Sequence, residues 1–151
     1  MTDTPDDVKR IARRFPEEVA TGGDLDLLDE LLTDDAVDHN PLMGDASGRE
    51  AIRAEMESLR SAFPDLEATV EDAVAEGDTA AMRVTLRGTH EGAYMDIEPT
   101  DRSFEVQNMV FTRVSDGRIA ERWIQLDALG MLRQLGVLPE DLVGLAPTAD
   151  D

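Results

Sequence analysis

The chain has no cysteine, one lysine, one tryptophan, one tyrosine and no long apolar run. Each shortage excludes something. Without cysteine there is no disulfide framework, no thiolate metal site and no cysteine nucleophile. No apolar stretch approaches the ~20 residues of a membrane span. The opening residues, Met1-Thr2-Asp3-Thr4-Pro5, lack a charged segment followed by an apolar one, so no signal peptide is expected. The cytoplasm is the expected location.

Positive charge is also scarce. Lys9 is the only lysine, and Lys plus Arg number 14 against 34 acids, a net charge of −20. No basic stripe exists to grip phosphates, so nucleic-acid binding is not expected, and neither is an anionic membrane surface. Like charges across a small domain repel and destabilise the compact state unless salt screens them. An acidic surface almost devoid of lysine resembles that of proteins from extreme halophiles.

What is present fits one domain over residues 1–151, with 41% hydrophobic content and no repeat or low-complexity linker. Thr4 can cap a first helix, with Pro5 at its first position. Val8, Ile11, Ala12, Phe15 and Val19 then follow helical spacing. Pro16 inside that pattern should kink or break the helix. Gly22-Gly23 ends it. Asp24 can cap a second helix carrying Leu25, Leu28, Leu31 and Leu32. Ser47-Gly48-Arg49-Glu50 reads as a capping box. It opens a third helix with Ile52, Met56, Leu59 and Phe63 on one stripe, stopped by Pro64.

After Pro64 the period becomes two. Leu66, Ala68, Val70 and Val74 mark a strand, and Gly77-Asp78 a turn. Met82, Val84 and Leu86 face one way on the next strand, and Arg83, Thr85 and Arg87 the other. A loop covers His90 to Arg102. Two strands, about 103–114 and 118–126, flank an Asp116-Gly117 hairpin turn. A short helix, Ala128 to Leu135, should end at Gly136. The tail after Leu145 is polar and expected to fray. Helices followed by antiparallel strands mean an α+β fold with helices on one face of a curved sheet.

On the last strand, Trp123, Gln125 and Asp127 share a face. A carboxylate beside an indole is the expected mark of a lined pocket. This stretch resembles the end of the SnoaL-like polyketide cyclases, or predicted ester cyclases. It has the Gly-Arg-Ile-x-Glu-x-Trp turn and strand at 117–123, Asp127 four residues after the Trp, and Gln134-Leu135-Gly136. Asp38-His39-Asn40-Pro41, Ala62-Phe63-Pro64-Asp65-Leu66 and Arg87-Gly88-Thr89-His90-Glu91-Gly92 match the same family, in order. The resemblance spans about Val8 to Leu138. It departs after His90, where relatives often read Gly-Ile-Pro-Pro-Thr-Gly. Here the loop is Asp96-Ile97-Glu98-Pro99-Thr100-Asp101, stiffer and more acidic. That departure bears on the substrate class rather than the fold.

The resemblance implies the cone-shaped fold of nuclear transport factor 2 and ketosteroid isomerase, with a pocket between sheet and helices. It implies a cyclase or isomerase with no metal and no cofactor, acting on a hydrophobic carbonyl-containing small molecule. It also implies Asp127 as the general acid/base and a homodimer through the sheet, with Arg113, Glu121 and Arg122 as candidate contacts. His39 and His90, the only histidines, are candidates to polarise a carbonyl or pass protons. Trp123, Arg83 and Gln107 are candidate substrate contacts, with Gln107 and Asn108 on opposite faces of their strand. Asp127 directly precedes a helix and can equally be its cap. The histidine spacing fits no metal motif. A binding or assembly module of the same fold is the alternative. So is an epoxide-hydrolase-like enzyme, which needs an Asp-Arg-Asp set that Arg83 and Asp127 only partly supply.

The charge reading makes one prediction. The helix signal in circular dichroism should be weak at low ionic strength and recover in molar salt. A full signal with unchanged melting at low salt would sink the halophile reading.

Overall fold

A computed structural model describes residues 3–40 and 44–138. Helix α1 (Pro5–Arg14) begins as predicted. Thr4 Oγ1 accepts from the Asp7 N–H at 3.1 Å, and the Asp7 carboxylate accepts from the Thr4 N–H at 3.2 Å. Pro16 does not break the helix. The chain widens instead into a π-helical segment, Phe15–Thr21. Proline has no N–H to donate and crowds the carbonyl four residues back, and a wider turn relieves both demands. Gly22 and Gly23 end the segment, the latter at φ 72°.

The second helix is shorter than predicted. Asp24 accepts from the Leu27 N–H at 3.2 Å and caps one 3-10 turn, Leu25–Leu27, which leads into α2 (Leu28–Leu31). Leu32, expected on that helix, starts strand β1 (Leu32–His39). Neither β1 nor the two-residue β2 (Ala46–Ser47) is visible in the residue pattern. The Ser47 capping box does not form, because Ser47 lies in β2. Gly48, at φ 97°, takes the cap position of α3 (Arg49–Ala62) with no side-chain bond.

The remaining elements match the predicted ones closely. They are β3 (Glu67–Glu76), β4 (Thr79–Thr89), β5 (Ser103–Ser115), β6 (Arg118–Leu126) and α4 (Ala128–Leu135). Asp116 and Gly117 both have positive φ, as a two-residue hairpin turn requires. The polar tail after Leu145 lies outside the described residues.

The strands form one curved, unclosed sheet in the order β2-β1-β6-β5-β4-β3. All neighbours are antiparallel except β1 and β6. Helix α1 crosses β3 to β6, and α3 packs against β1. Met82, Val84 and Leu86 face this core, as the alternation predicts. The sheet therefore has an inner face under the helices and an outer face free of them, and one residue of register decides which a side chain sees.

The 90–102 loop is pinned at both ends. His90 and Arg102 are joined by a backbone bond of 2.9 Å, and the N–H groups of Glu91 and Gly92 each reach the Ala62 carbonyl at 3.0 Å. A Cβ at position 92 would run into the Ser61 carbonyl oxygen. Asp96 (φ 63°) and Asp101 (φ 58°) stand in the left-handed region, where glycine is the easier residue. The loop thus holds non-glycine residues in the left-handed region, and it carries Tyr94 inward.

Candidate functional site

A cavity of about 350 Å³ lies between the inner sheet face and the helices. Its walls are apolar: Met82, Val84, Leu86, Val110, Ile124 and Leu126 from the sheet, and Met56 and Leu59 from α3. A few polar groups interrupt them, the usual make-up of a small-molecule site. A second, more open groove along α1 is lined by Lys9, Arg10, Arg13 and Arg14. Each of these cations is paired with an acid of its own helical turn.

The polar floor of the cavity is an ion pair. Asp38 on β1 stands opposite Arg122 on β6, and Arg122 Nη1 donates to Asp38 Oδ2 at 3.0 Å. Asp38 is 3% exposed and Arg122 6%. The guanidinium also stacks on Phe15, 3.6 Å from the ring centre, so the π-helical segment supplies one face of its setting. The other Asp38 oxygen is buried without a protein partner. Burial pushes the Asp38 carboxyl upward, and the charges of Arg122 and then His39 pull it part of the way back.

Glu55 enters from α3, half-buried and hydrogen-bonded to the Asn40 side chain. Burial first, and then the nearby Asp38 charge, hold its carboxyl above the ordinary range. Tyr94 closes the site from the 90–102 loop. Burial, and then Glu55, push its phenol up to about 12, so it remains a neutral donor. Asn108 lines the far end. It sits four residues along β5 from Thr112, the partner of Arg122, which is about 13 Å of strand.

The residues singled out from the sequence are placed differently. Trp123, Gln125 and Asp127 do share a side, but it is the solvent side. Trp123 is 40% exposed and none of the three lines the cavity. Asp127 Oδ1 accepts from the Gly130 N–H at 2.9 Å and so caps α4. Gln107 also faces out and donates to Thr85 Oγ1, while its neighbour Asn108 faces in. Arg83 does not reach the cavity. It pairs outside with Asp72 at 2.7 Å.

His39 is on the outer face, between Glu121 at 2.6 Å and Asp45 at 3.2 Å, stacked on Trp123. His90 is fully buried against Phe63. Its Nδ1 accepts from the Thr100 N–H at 3.2 Å, which places the ring hydrogen on Nε2. It anchors the loop that carries Tyr94 and does not line the cavity. Asp38, Asn40, Glu55 and Tyr94 were not singled out from the sequence, and Arg122, expected at a dimer contact, is instead 6% exposed and lines the cavity. The signal for Arg122 was available: it shares strand parity with Ile124 and Leu126, the apolar side of β6.

No group of three or more His, Cys, Asp or Glu side chains able to hold a metal occurs among the described residues. Among the same residues, no helix is long and apolar enough to cross a membrane.

A curved sheet with an acid-lined apolar cavity beneath its helices defines a class that the comparisons identify. The SnoaL-like polyketide cyclase family model matches residues 10–135, and the chain belongs to this family. It is 33% identical over 132 residues to the aklanonic acid methyl ester cyclase DauD of Streptomyces sp. (strain C5), covering 83% of this chain and 80% of DauD. Among solved structures it resembles TsrD from Streptomyces laurentii, with a TM-score of 0.80 and 32% identity over 90% of this chain and 99% of TsrD. IdmH from Streptomyces antibioticus gives 0.75 and 38%, over 86% and 99%.

The raised Glu55 carboxyl makes a stability prediction. A folded acid with a raised pKa binds protons more tightly than the unfolded chain, so ionising it costs stability as pH rises. That cost is absent below the ordinary value of 4.5 and complete above the raised one. Glu55→Gln removes it. The variant should gain melting temperature over wild type at neutral pH and lose that advantage near pH 4. An equal difference at both pH values would contradict the assignment.

Proposed function

We propose that this cavity carries out a cofactor-independent, intramolecular aldol ring closure on a hydrophobic carbonyl-containing small molecule. One observation carries the reading: two carboxyls of different character share an apolar cavity with one arginine. Burial raises both carboxyls, but Arg122 offsets this most directly at Asp38, and the Asp38 charge raises Glu55 further, so Asp38 ionises first. Two acids whose settings differ in this way divide into base and acid.

Asp38 takes the C–H proton next to a carbonyl. The electron pair moves to that oxygen, where the Arg122 guanidinium stabilises the enolate. The enolate carbon attacks a second carbonyl of the same molecule and forms the ring C–C bond. The new alkoxide takes the Glu55 proton. Proton return from Asp38 to Glu55 resets the site. Tyr94 and Asn108 orient the substrate.

The test uses aklanonic acid methyl ester, the compound in the name of the DauD relative. Asp38→Asn should lower turnover by roughly 10²–10⁴-fold, the usual share of general acid–base catalysis. Asp127→Asn, which keeps the α4 cap, should stay near wild type. The reverse result would make Asp127 the base, as the family resemblance implies. No effect from either change would favour a binding module without chemistry.

A second reading has one observation behind it. An arginine flanked by two acids, Asp38–Arg122–Glu55, is the kind of set that water-activated epoxide opening needs. Conversion of styrene oxide to its diol by the same protein would favour it.

We also propose a homodimer through the outer sheet face. Val74, Phe111 and Trp123 lie in one cross-strand row there, 65%, 53% and 40% exposed, beside Met109 at 46%. Such an apolar row on a chain of net charge −20 is where self-association meets least repulsion. Sedimentation in high salt should give a dimer at micromolar concentration, and a monomer would count against it.

A further inference from the structure

Two ion pairs stand back to back across the seam between β1 and β6. Asp38 and Arg122 meet on the inner face. His39 and Glu121, their sequence neighbours, meet on the outer face with Nε2 and Oε2 2.6 Å apart. The register here is Val37 with Glu121, Asp38 with Arg122 and His39 with Trp123, below an irregularity that starts at Leu32. This seam is the sheet's one parallel pairing among the described residues, and the other neighbour of β1 is the two-residue β2. Asp38 is paired on both sides, with Arg122 of β6 and Ala46 of β2, but the β2 side offers only a two-residue strand.

The outer pair belongs to a chain of charges. The Glu121 carboxylate also accepts from Arg113 Nε and Nη2 at 3.2 Å each. The other ring nitrogen of His39 faces Asp45 Oδ2 at 3.2 Å. Both imidazole nitrogens thus look at carboxylate oxygens. A neutral ring carries one hydrogen and can satisfy one of them, whereas the imidazolium satisfies both. Trp123 stacks on the ring at 5.5 Å.

We infer that His39 and Glu121 are positioning residues, whose ion pair on the outer face holds the β1–β6 seam and thereby holds Asp38 against Arg122. The inference rests on the proposed role of Asp38 only where it concerns rate. The charged groups that face His39 are Glu121 from β6 and Asp45 from the segment before β2, with Arg113 of β5 reaching Glu121, while Asp38 lies next along the strand on the opposite face and feels the His39 charge. The Glu121 hydrogen bond first, and then Asp45, raise His39 above its ordinary 6.5, and the His39 charge in turn lowers Asp38. Because the folded value is raised, the clip contributes fully below pH 6.5 and is lost as pH rises through the raised value. At the acid end it requires ionised Glu121, whose carboxyl His39 and then Arg113 hold below the usual range.

The experiment needs no substrate for its deciding arm. Trp123 is the only tryptophan, and its fluorescence reports the protonation of the stacked imidazole. The Arg122 Nη–H resonances report the inner pair, which forms through Nη1. Both are followed from about pH 5.5 to about pH 9, the range in which a histidine titrates. The protein is held where sedimentation shows one assembly state throughout. The expected result is one shared midpoint above 6.5 in the wild type. In Glu121→Gln the Trp123 midpoint should fall and the Arg122 signal should stop following it. His39→Gln should abolish both titrations, and if it fails to fold, Glu121→Gln decides alone.

An Arg122 signal that stays flat while Trp123 titrates would overturn the inference, as would one unchanged by Glu121→Gln. With aklanonic acid methyl ester, Glu121→Gln should lower kcat by roughly 10-fold or more with little change in KM, because the reacting groups shift while the cavity remains. Absence of turnover in the wild type would remove the cyclase reading and leave the resonance result to decide this one.

Discussion

The site depends on the buried contact between Asp38 and Arg122. Removing two charges from water is costly, and their attraction offsets this only when the geometry is good. Here the geometry comes from several elements at once. β1 and β6 bring the pair into register, Phe15 lies under the guanidinium, and the inner sheet face excludes water. Loss of either partner would strand a buried charge, which typically costs about 3–5 kcal/mol. The pair is weak evidence for stability, because an apolar pair of similar volume would fill the same place without the desolvation cost.

Placement of that pair accounts for much of the rest. The π-helical segment at Pro16 turns Phe15 and Ala20 toward the cavity. The loop from His90 to Arg102 holds residues in the left-handed region and seats Tyr94 against Phe63, with ring centres 5.4 Å apart. The surplus of acid on the surface makes the few cations informative. Most arginines are spent on exposed pairs such as Arg83 with Asp72 and Arg87 with Glu67. Such pairs contribute little each. Arg122 is the arginine whose ion pair is buried on both sides, and it is the one in the cavity.

Much of the fold was legible in the residues. The Thr4 cap, the alternation of Met82, Val84 and Leu86, the Asp116-Gly117 turn and the Asp127-to-Gly136 helix all follow from local chemistry that tertiary contacts leave alone. β1 was not legible, for two physical reasons. Its irregularity between Leu32 and Val37 breaks the period of two. Its inward positions also include Asp38, a charge that only Arg122, 84 residues away, makes tolerable. The residues singled out on β6 and those that line the cavity differ by one residue of parity. The tryptophan and the Asp127 carboxylate drew attention to 123, 125 and 127, and the cavity is lined by 122, 124 and 126. The same step separates His39 from Asp38 and Asn40. Polar residues stand on both sides of these strands, so residue type alone does not say which side faces the cavity.

The central claim is that the reacting carbonyl sits on the inner face beside Arg122. A crystal structure of the Asp38→Asn protein with aklanonic acid methyl ester tests it most directly. The account predicts a ligand carbonyl oxygen within hydrogen-bond distance of the Arg122 guanidinium, with the ring system lying along Val84, Val110 and Ile124. A ligand ordered on the outer face, with its carbonyl at Asp127 and Trp123 and the inner cavity left without it, would contradict the account.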